Sequence, residues 1–432
     1  MSDDVLRNWG NFEAPHGDDP YPLYAGLRQE APVHRATLPD GRVAWVISRY
    51  GDAREALLNP LLFKDLDRAQ ALNPAAVPGR LPPALFGRNM LSADPPDHTR
   101  LRSLVSRAFT PSRMEVLRPR VQEITDRLLD EMTGHDPADL VAEFAFPLPI
   151  TVICEMLGVP VADRHRLRSM FNRLFTLLPG PVADGELHQT ATDLIRYFTA
   201  LLDHKRAYPA DDLLSGLIVA CHGDERLTQE ELLSTTFLLV LAGHETTVNL
   251  IANGTVALLR HPDQLAALRA DDSLIGPAVE EFLRYDGPVQ HATFRFSAEA
   301  VEIGGVTIPA HQPVLILLAG ANRDPERFAH PDALDVGRSD NHHLAFGHGI
   351  HFCLGAPLAR LEGQIAFRAL LRRFPDLSLA VPDDDIHWRY GLVLRALPEL
   401  PVHLAPVRIG NGEPGVPQVP SPSPAVTEEV TA

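Results

Sequence analysis

Apolar residues recur at helical spacing through most of the chain, and the longest such run covers residues 228–258. Thr228 stands where an N-cap belongs, with Glu231 three residues on, the pairing of a capping box. The middle of the run is apolar on every side, which predicts a buried central helix. Inside it lies Ala242-Gly243-His244-Glu245-Thr246-Thr247. A glycine there costs about 1 kcal/mol against alanine, and a threonine hydroxyl can bond a carbonyl one turn back. A local distortion able to seat a small ligand is therefore expected. A carboxyl buried beside a hydroxyl is expensive unless it is used, which singles out Glu245 and Thr246.

The same patterning predicts a short helix over 22–29, extended segments over 33–37 and 43–48, and a helix over 52–58. Residues 73–91 are rich in Pro, Gly and apolar side chains and read as a long irregular loop. Asp94 or Asp97 can cap a helix ending near Phe109, closed by Pro111. Successive helices follow from 112 to 205, with breaks at 133–137, 159–162 and 179–185; Met170, Phe171, Leu174, Phe175 and Leu178 make a broad apolar stripe. A helix over 278–286 carries Glu281 and Arg284, a spacing that by itself suits a solvated surface pair. Residues 291–296 read as a strand, and 301–308 with 313–318 as a hairpin across Pro309-Ala310. Short strands are expected within 375–401, with 391–393 a candidate turn. The fold class is mainly α with a small β-rich lobe: one domain over 1–407 and a disordered Pro/Ser-rich tail over 408–432.

Composition narrows the function. The 432 residues carry a formal net charge of −17 with 45% hydrophobic side chains, ample for a core and without the basic stripe of a nucleic-acid binder. Lysine occurs only at Lys64 and Lys205; every other basic side chain is arginine or histidine. Three cysteines without regular spacing are no disulfide framework and fit the reducing cytoplasm. The polar, acidic N-terminus is no signal peptide. The most apolar stretch, 237–242, is far short of the roughly 20 residues a bilayer span needs, so no membrane association is expected.

Residues 344–362 hold the most specific chemistry. Cys353 follows Gly347, His348, Gly349 and His351 and precedes Gly355, and after the cysteine Leu354, Leu358 and Leu361 take up helical spacing. The glycines allow a tight loop with backbone N–H groups near the sulfur, and the start of a helix favours a thiolate. Such a thiolate can serve as an anionic axial ligand to haem iron. Cys154 and Cys221 lie in or at the end of apolar runs and read as small buried hydrophobes. A Cys353–His351 nucleophile is the rival, but two residues apart on a glycine loop is not a usual dyad. His244-Glu245 opens a zinc-protease pattern that fails, because Val248 stands where its second histidine belongs. Gly410-x-Gly412-x-x-Gly415 follows no βαβ strand and contains Pro414, so it is no dinucleotide site.

Phe346-Gly347-x-Gly349-x-His351-x-Cys353-x-Gly355 resembles, position for position, the haem-binding signature of the cytochrome P450 monooxygenases. The similarity extends along residues 15–406 and looks closest to the soluble bacterial members. It implies the cytochrome P450 fold with heme b (iron protoporphyrin IX) ligated by Cys353 and bordered by Phe346, Gly347, Gly355, Ala242 and Gly243. By the same resemblance His98, Arg102, Arg295 and His351 hold propionates, although His98 and Arg102 on their own could be a solvated cationic face. Glu245 and Thr246 match the family's acid–alcohol pair, which delivers protons during catalysis, with His244 structural. Glu281 and Arg284 match a buried structural pair with Arg338 as a third member, though a common variant places an arginine where this chain has Ala333. Substrate contacts would be Met90, Leu91, Phe175, Val240, Ala242, Thr247, Val289, Ala292 and Val393, with Gln290 and His291 as polar anchors. The implied reaction inserts one atom of O2 into a bulky lipophilic substrate such as a macrolide, polyketide or steroid. Electrons would come from a ferredoxin and ferredoxin reductase, docking near Arg100, Arg107 and Arg113 on a monomer. A peroxide-driven haem-thiolate enzyme typically lacks the Glu245–Thr246 pair, and a haem-based sensor needs none.

Overall fold

The computed structural model describes residues 19–404 apart from 39–40, 78–84, 86, 178–183, 221–226 and 390. The tail over 408–432, Cys221, Leu178, the side chain of Phe175 and parts of the 73–91 and 179–185 segments lie outside the described residues.

In chain order, α1 (Tyr21–Glu30), β1 (Val33–Thr37), β2 (Val43–Ile47), α2 (Tyr50–Leu58), β3 (Leu62–Phe63) and α3 (Leu66–Leu72) open the fold. A helical stretch follows: α4 (Asp97–Ser106), α5 (Pro111–Met132), β4 (Ala138–Asp139), α6 (Pro147–Met156), α7 (Val161–Leu177), α8 (Asp184–Ala207), α9 (Leu213–Ala220), α10 (Gln229–Leu259), α11 (Pro262–Ala270) and α12 (Ile275–Asp286). The last part holds β5 (Arg295–Ser297), β6 (Val301–Ile303), β7 (Val306–Ile308), β8 (Pro313–Ile316), α13 (Leu318–Ala321), α14 (Ala356–Arg373), β9 (Ser378–Leu379) and β10 (Pro401–His403). No helix among the described residues is long and apolar enough to cross a membrane.

The organising element is α10. Its capping box forms as expected: Thr228 Oγ1 accepts from Glu231 N, and Glu231 Oε2 accepts from Thr228 N. It is helical without interruption, so the expected distortion at Gly243 does not break it; the Thr246 hydroxyl bonds the Ala242 carbonyl at 2.8 Å alongside the helix ladder. Helices α6, α8, α12 and α14 pack around it. The crossing with α12 and α14 depends on Gly254, where a Cβ would stand 2.5 Å from the Phe367 ring and 3.0 Å from the Phe282 ring.

The β lobe is a five-stranded sheet in the order β1-β2-β8-β5-β3, with β2 and β8 parallel and the other pairs antiparallel. All four residues of β8 are buried, which explains its unbroken apolar run. Residues 313–318 are therefore not half of the expected hairpin. The hairpin is β6–β7, turning at Gly304-Gly305, both with positive φ (56° and 76°), the backbone that two-residue hairpin turns require. The expected strand over 291–296 is cut to β5; His291 makes only an isolated bridge to Leu317. Neither Asp94 nor Asp97 caps α4 with its side chain. The Asp94 carboxylate instead accepts the backbone N–H groups of Lys64 and Asp65 at 2.9 Å, tying β3 to the segment before α4.

Candidate active site

The loop before α14 is shaped by two glycines in the left-handed region, Gly347 (φ 70°) and Gly349 (φ 77°). A Cβ on Gly349 would also press to 3.1 Å from the Leu57 carbonyl and the Leu58 side chain at the end of α2. The turn closes with Gly347 N donating to Leu344 O at 2.8 Å and Cys353 N to Phe346 O at 2.9 Å. The Cys353 sulfur then receives the backbone N–H groups of Gly355 and Ala356 at the start of α14. Burial pushes the thiol up, opposed by those N–H groups and by the charges of Arg102 and Arg360. Cys154, packed in the core as expected, has its thiol pushed up to about 12 by burial.

The loop is braced from α12. Glu281 and Arg284 are fully buried and joined by two bonds of 2.7 Å, which removes the solvated-surface reading of this pair. Arg338 is the third member, its Nε 3.1 Å from Glu281 Oε2. Arg284 also donates to the carbonyls of Asn322, Pro331 and Ala333. The Asn322 side chain then accepts Leu344 N at 2.7 Å, so the clamp reaches the start of the cysteine loop.

Cys353 faces a cavity whose wall includes Ala242, Gly243, Thr246 and Thr247 of α10, with Phe346, Gly347 and Gly355 on the cysteine side. Met90, Leu91, Val289 and Ala292 line it too. The segment bearing Met90 and Leu91 is pinned to α10 by Asn89 Nδ2, which donates to Ser234 Oγ at 2.9 Å. Other expected contacts lie elsewhere. Val240 is buried in the helical core, since each helical step turns a side chain by about 100° and Leu239 takes the cavity-facing place. Gln290 is spent on the Tyr24 hydroxyl (2.6 Å) and the carbonyls of Gly391 and Leu394. His291 is fully buried with Nδ1 2.7 Å from the Leu392 carbonyl, and burial lowers it to about 4. Val393 serves through its carbonyl, which accepts Gln290 N. These three belong to the packing of the β lobe rather than to the cavity wall.

Glu245 also points away from the cavity and is ion-paired with Arg389. Burial raises its carboxyl, against the charge of Arg389. His244 is buried edge-on to the Phe146 ring, 4.2 Å between centroids, in the structural place expected.

At one end of the cavity the cations gather. Arg102, Arg295 and His351 line it, and His98 packs against His351 with the rings tilted at 59° and their centroids 4.4 Å apart. Burial lowers Arg295 to about 10. His351 falls to about 2, through burial and then the charges of Lys64, His98, Arg295 and Arg102. His98 Nε2 is buried with no partner among the described residues. Cations held together at this cost, around an orphaned ring nitrogen, fit an anionic group entering the cavity. Two buried groups were missed from sequence: Lys64, whose Nζ donates to the Thr293 hydroxyl, and Glu362, which burial pushes up to about 8. No local pattern marks either one.

A haem-thiolate site needs a supported sulfur on one wall of an apolar cavity and counter-charges for two carboxylates at its edge, and here a single cavity offers both. The chain belongs to the cytochrome P450 family, a family of haem monooxygenases whose model, described as Cytochrome P450, matches residues 155–398. It is 49% identical to the cytochrome P450 monooxygenase PikC of Streptomyces venezuelae, over 89% of this chain and 91% of that one. It is 46% identical to the vitamin D(3) 25-hydroxylase of Pseudonocardia autotrophica, over 91% and 96%. The tirandamycin C-bound P450 monooxygenase TamI superposes with a TM-score of 0.83 at 46% identity, covering 89% of this chain and 97% of that one. The architecture is thus the cytochrome P450 fold, with its helical body and small β lobe.

Proposed function

We propose that the protein binds heme b through Cys353 and inserts one oxygen atom of O2 into a bulky lipophilic small molecule of the macrolide, polyketide or steroid kind, in the bacterial cytoplasm. The observation that carries this is the shared cavity: the Cys353 sulfur, the Thr246 side chain and the cationic edge all border it. When bound, haem supplies the reductive activation of O2. The residues of the chain supply the rest. Cys353 gives a thiolate whose charge Gly355 N, Ala356 N, Arg102 and Arg360 support. His98, Arg102, Arg295 and His351 take the propionates. Thr246 donates its proton to the Ala242 carbonyl, leaving its oxygen lone pairs free to accept a hydrogen bond from the cavity side. Glu245, held by Arg389, is a proton store one residue away. Met90, Leu91, Leu239, Val289 and Ala292 give an apolar wall suited to a lipophilic substrate, and the ligand and reaction named for the two relatives above agree with that class.

Electrons arrive from a ferredoxin. Of the three arginines expected to receive it, Arg100 is already bonded to Glu231 (2.6 Å) and Asp97 (3.0 Å). Docking therefore falls to Arg107 and Arg113, both exposed. The test of the haem reading is the absorption spectrum of the reduced protein under carbon monoxide, with Cys353→Ser alongside. A far-red-shifted Soret band present in the wild type and lost in the variant is the expected result. A histidine-type band indifferent to the substitution overturns the reading.

A further inference from the structure

Among the described residues, the haem reading leaves one buried cation of the cavity wall unused. Lys64 follows β3, is 4% exposed, and lines the same cavity as Arg102, Arg295 and His351. Among the described residues its one side-chain partner is a neutral group, the Thr293 hydroxyl. Lys205, the only other lysine, is equally buried but sits on the carboxylate of Asp212. Lys64 has no such pairing. Asp94 is the carboxylate beside it, and its oxygens are taken by the backbone N–H groups of Lys64 and Asp65.

Charge counting sharpens the point. Lys64, Arg102 and Arg295 bring three cationic side chains to the cavity edge and Asp94 returns one carboxylate, while burial pushes the Lys64 ammonium well below its ordinary value, a cost that an entering anion would relieve. The surplus of two matches a ligand with two carboxylates. Without Lys64 the cradle would be one charge short.

Resting on the haem reading above, we propose that Lys64 is a fifth residue of the cradle, donating its charge to a haem carboxylate that the histidines and arginines share. The competing role is a mechanical one, in which the Lys64–Thr293 bond only fastens the end of β3 to the segment before β5. The two roles differ in sign. A lysine that waits for an anion burdens the empty protein and steadies the loaded one; a mechanical lysine steadies both.

The experiment measures the rate of hemin transfer from the purified full-length holoprotein to excess apomyoglobin, without substrate, together with the thermal midpoint of the hemin-free protein. Lys64→Met is expected to speed hemin loss roughly tenfold or more, the equivalent of one charge-assisted hydrogen bond, and to raise the midpoint of the hemin-free form. Lys64→Arg, which keeps the charge, is expected to retain most of the wild-type hold on hemin. Unchanged hemin loss in Lys64→Met overturns the assignment, as does a lowered midpoint of its hemin-free form. If hemin loss is altered only when a carboxylate-bearing substrate is present, Lys64 serves the substrate and the assignment falls. A wild type that takes up no hemin overturns the haem reading itself, and this assignment with it.

Discussion

Replacing Glu281 exposes how much of the site rests on one carboxylate. Both oxygens are fully buried, and together they accept two bonds from Arg284, one from Asp335 N at 2.9 Å, one from Asn341 Nδ2 at 3.1 Å and those of Arg338 Nε. Glu281→Ala leaves Arg284 as an unpaired charge with no exposed surface. Breaking a buried ion pair by removing one partner costs about 3–5 kcal/mol, and stranding the Asp335 N–H adds about 1 kcal/mol more. Against a total stability of about 5–15 kcal/mol, the variant should lose a third of it or more.

The double variant Glu281→Leu/Arg284→Leu is more telling. Replacing a whole buried pair by apolar residues is commonly neutral or even stabilising. Here Arg284 also serves the carbonyls of Asn322, Pro331 and Ala333 at 3.0, 2.6 and 3.0 Å. Ala333 O keeps its bond from Arg338 Nη2, but the other two carbonyls, stranded at about 1 kcal/mol or more each, keep the double variant destabilised by at least about 2 kcal/mol. Urea unfolding of the hemin-free chain, read by circular dichroism, measures both changes from midpoint shifts at constant slope. A double variant within about 1 kcal/mol of wild type would refute the clamp as drawn here.

Two further outcomes follow from buried positions. Burial raises Glu362 from 4.5 to about 8, outweighing the opposing contact with the Thr247 hydroxyl. The folded state therefore holds a proton that the unfolded chain releases between those values, so stability falls as pH rises through that window. Glu362→Gln should remove this fall and leave the protein more stable than wild type at pH 8, by on the order of a few kcal/mol, with little difference below pH 4.5; parallel urea curves for the two proteins across the window would contradict it. Gly254→Ala gains about 1 kcal/mol of helix propensity, but its methyl meets buried rings at 2.5 and 3.0 Å, an overpacking that costs about 1–3 kcal/mol. A net lowering of the thermal midpoint is expected, and a raised one would show that the α10–α14 crossing can yield.

The legible parts share a short range. The capping box of α10 and the glycines before Cys353 each depend on residues a few positions apart, and each stands where the pattern placed it; the Glu281–Arg284 pair, whose spacing alone suits a solvated surface, is buried instead. The β6–β7 turn was equally local, marked by two adjacent glycines, and a proline-alanine step was read in its place. The misplaced residues fail for another reason. Val240 and Leu239 look alike in sequence, and only the packing of α10 decides which one turns to the cavity. Gln290 and His291 are ordinary polar side chains until Tyr24, Leu392 and their neighbours claim them.

By itself the sequence determined the helical body and the class of chemistry at Cys353, because capping, helical period and positive φ act over one or two turns of chain. Tertiary structure alone decided that Glu245 pairs with Arg389, 144 residues away, that Lys64 joins the cations at the cavity edge, and that Glu362 is buried with no charged partner among the described residues. Those outcomes depend on desolvation and charge brought together from distant segments, and no local pattern carries that information.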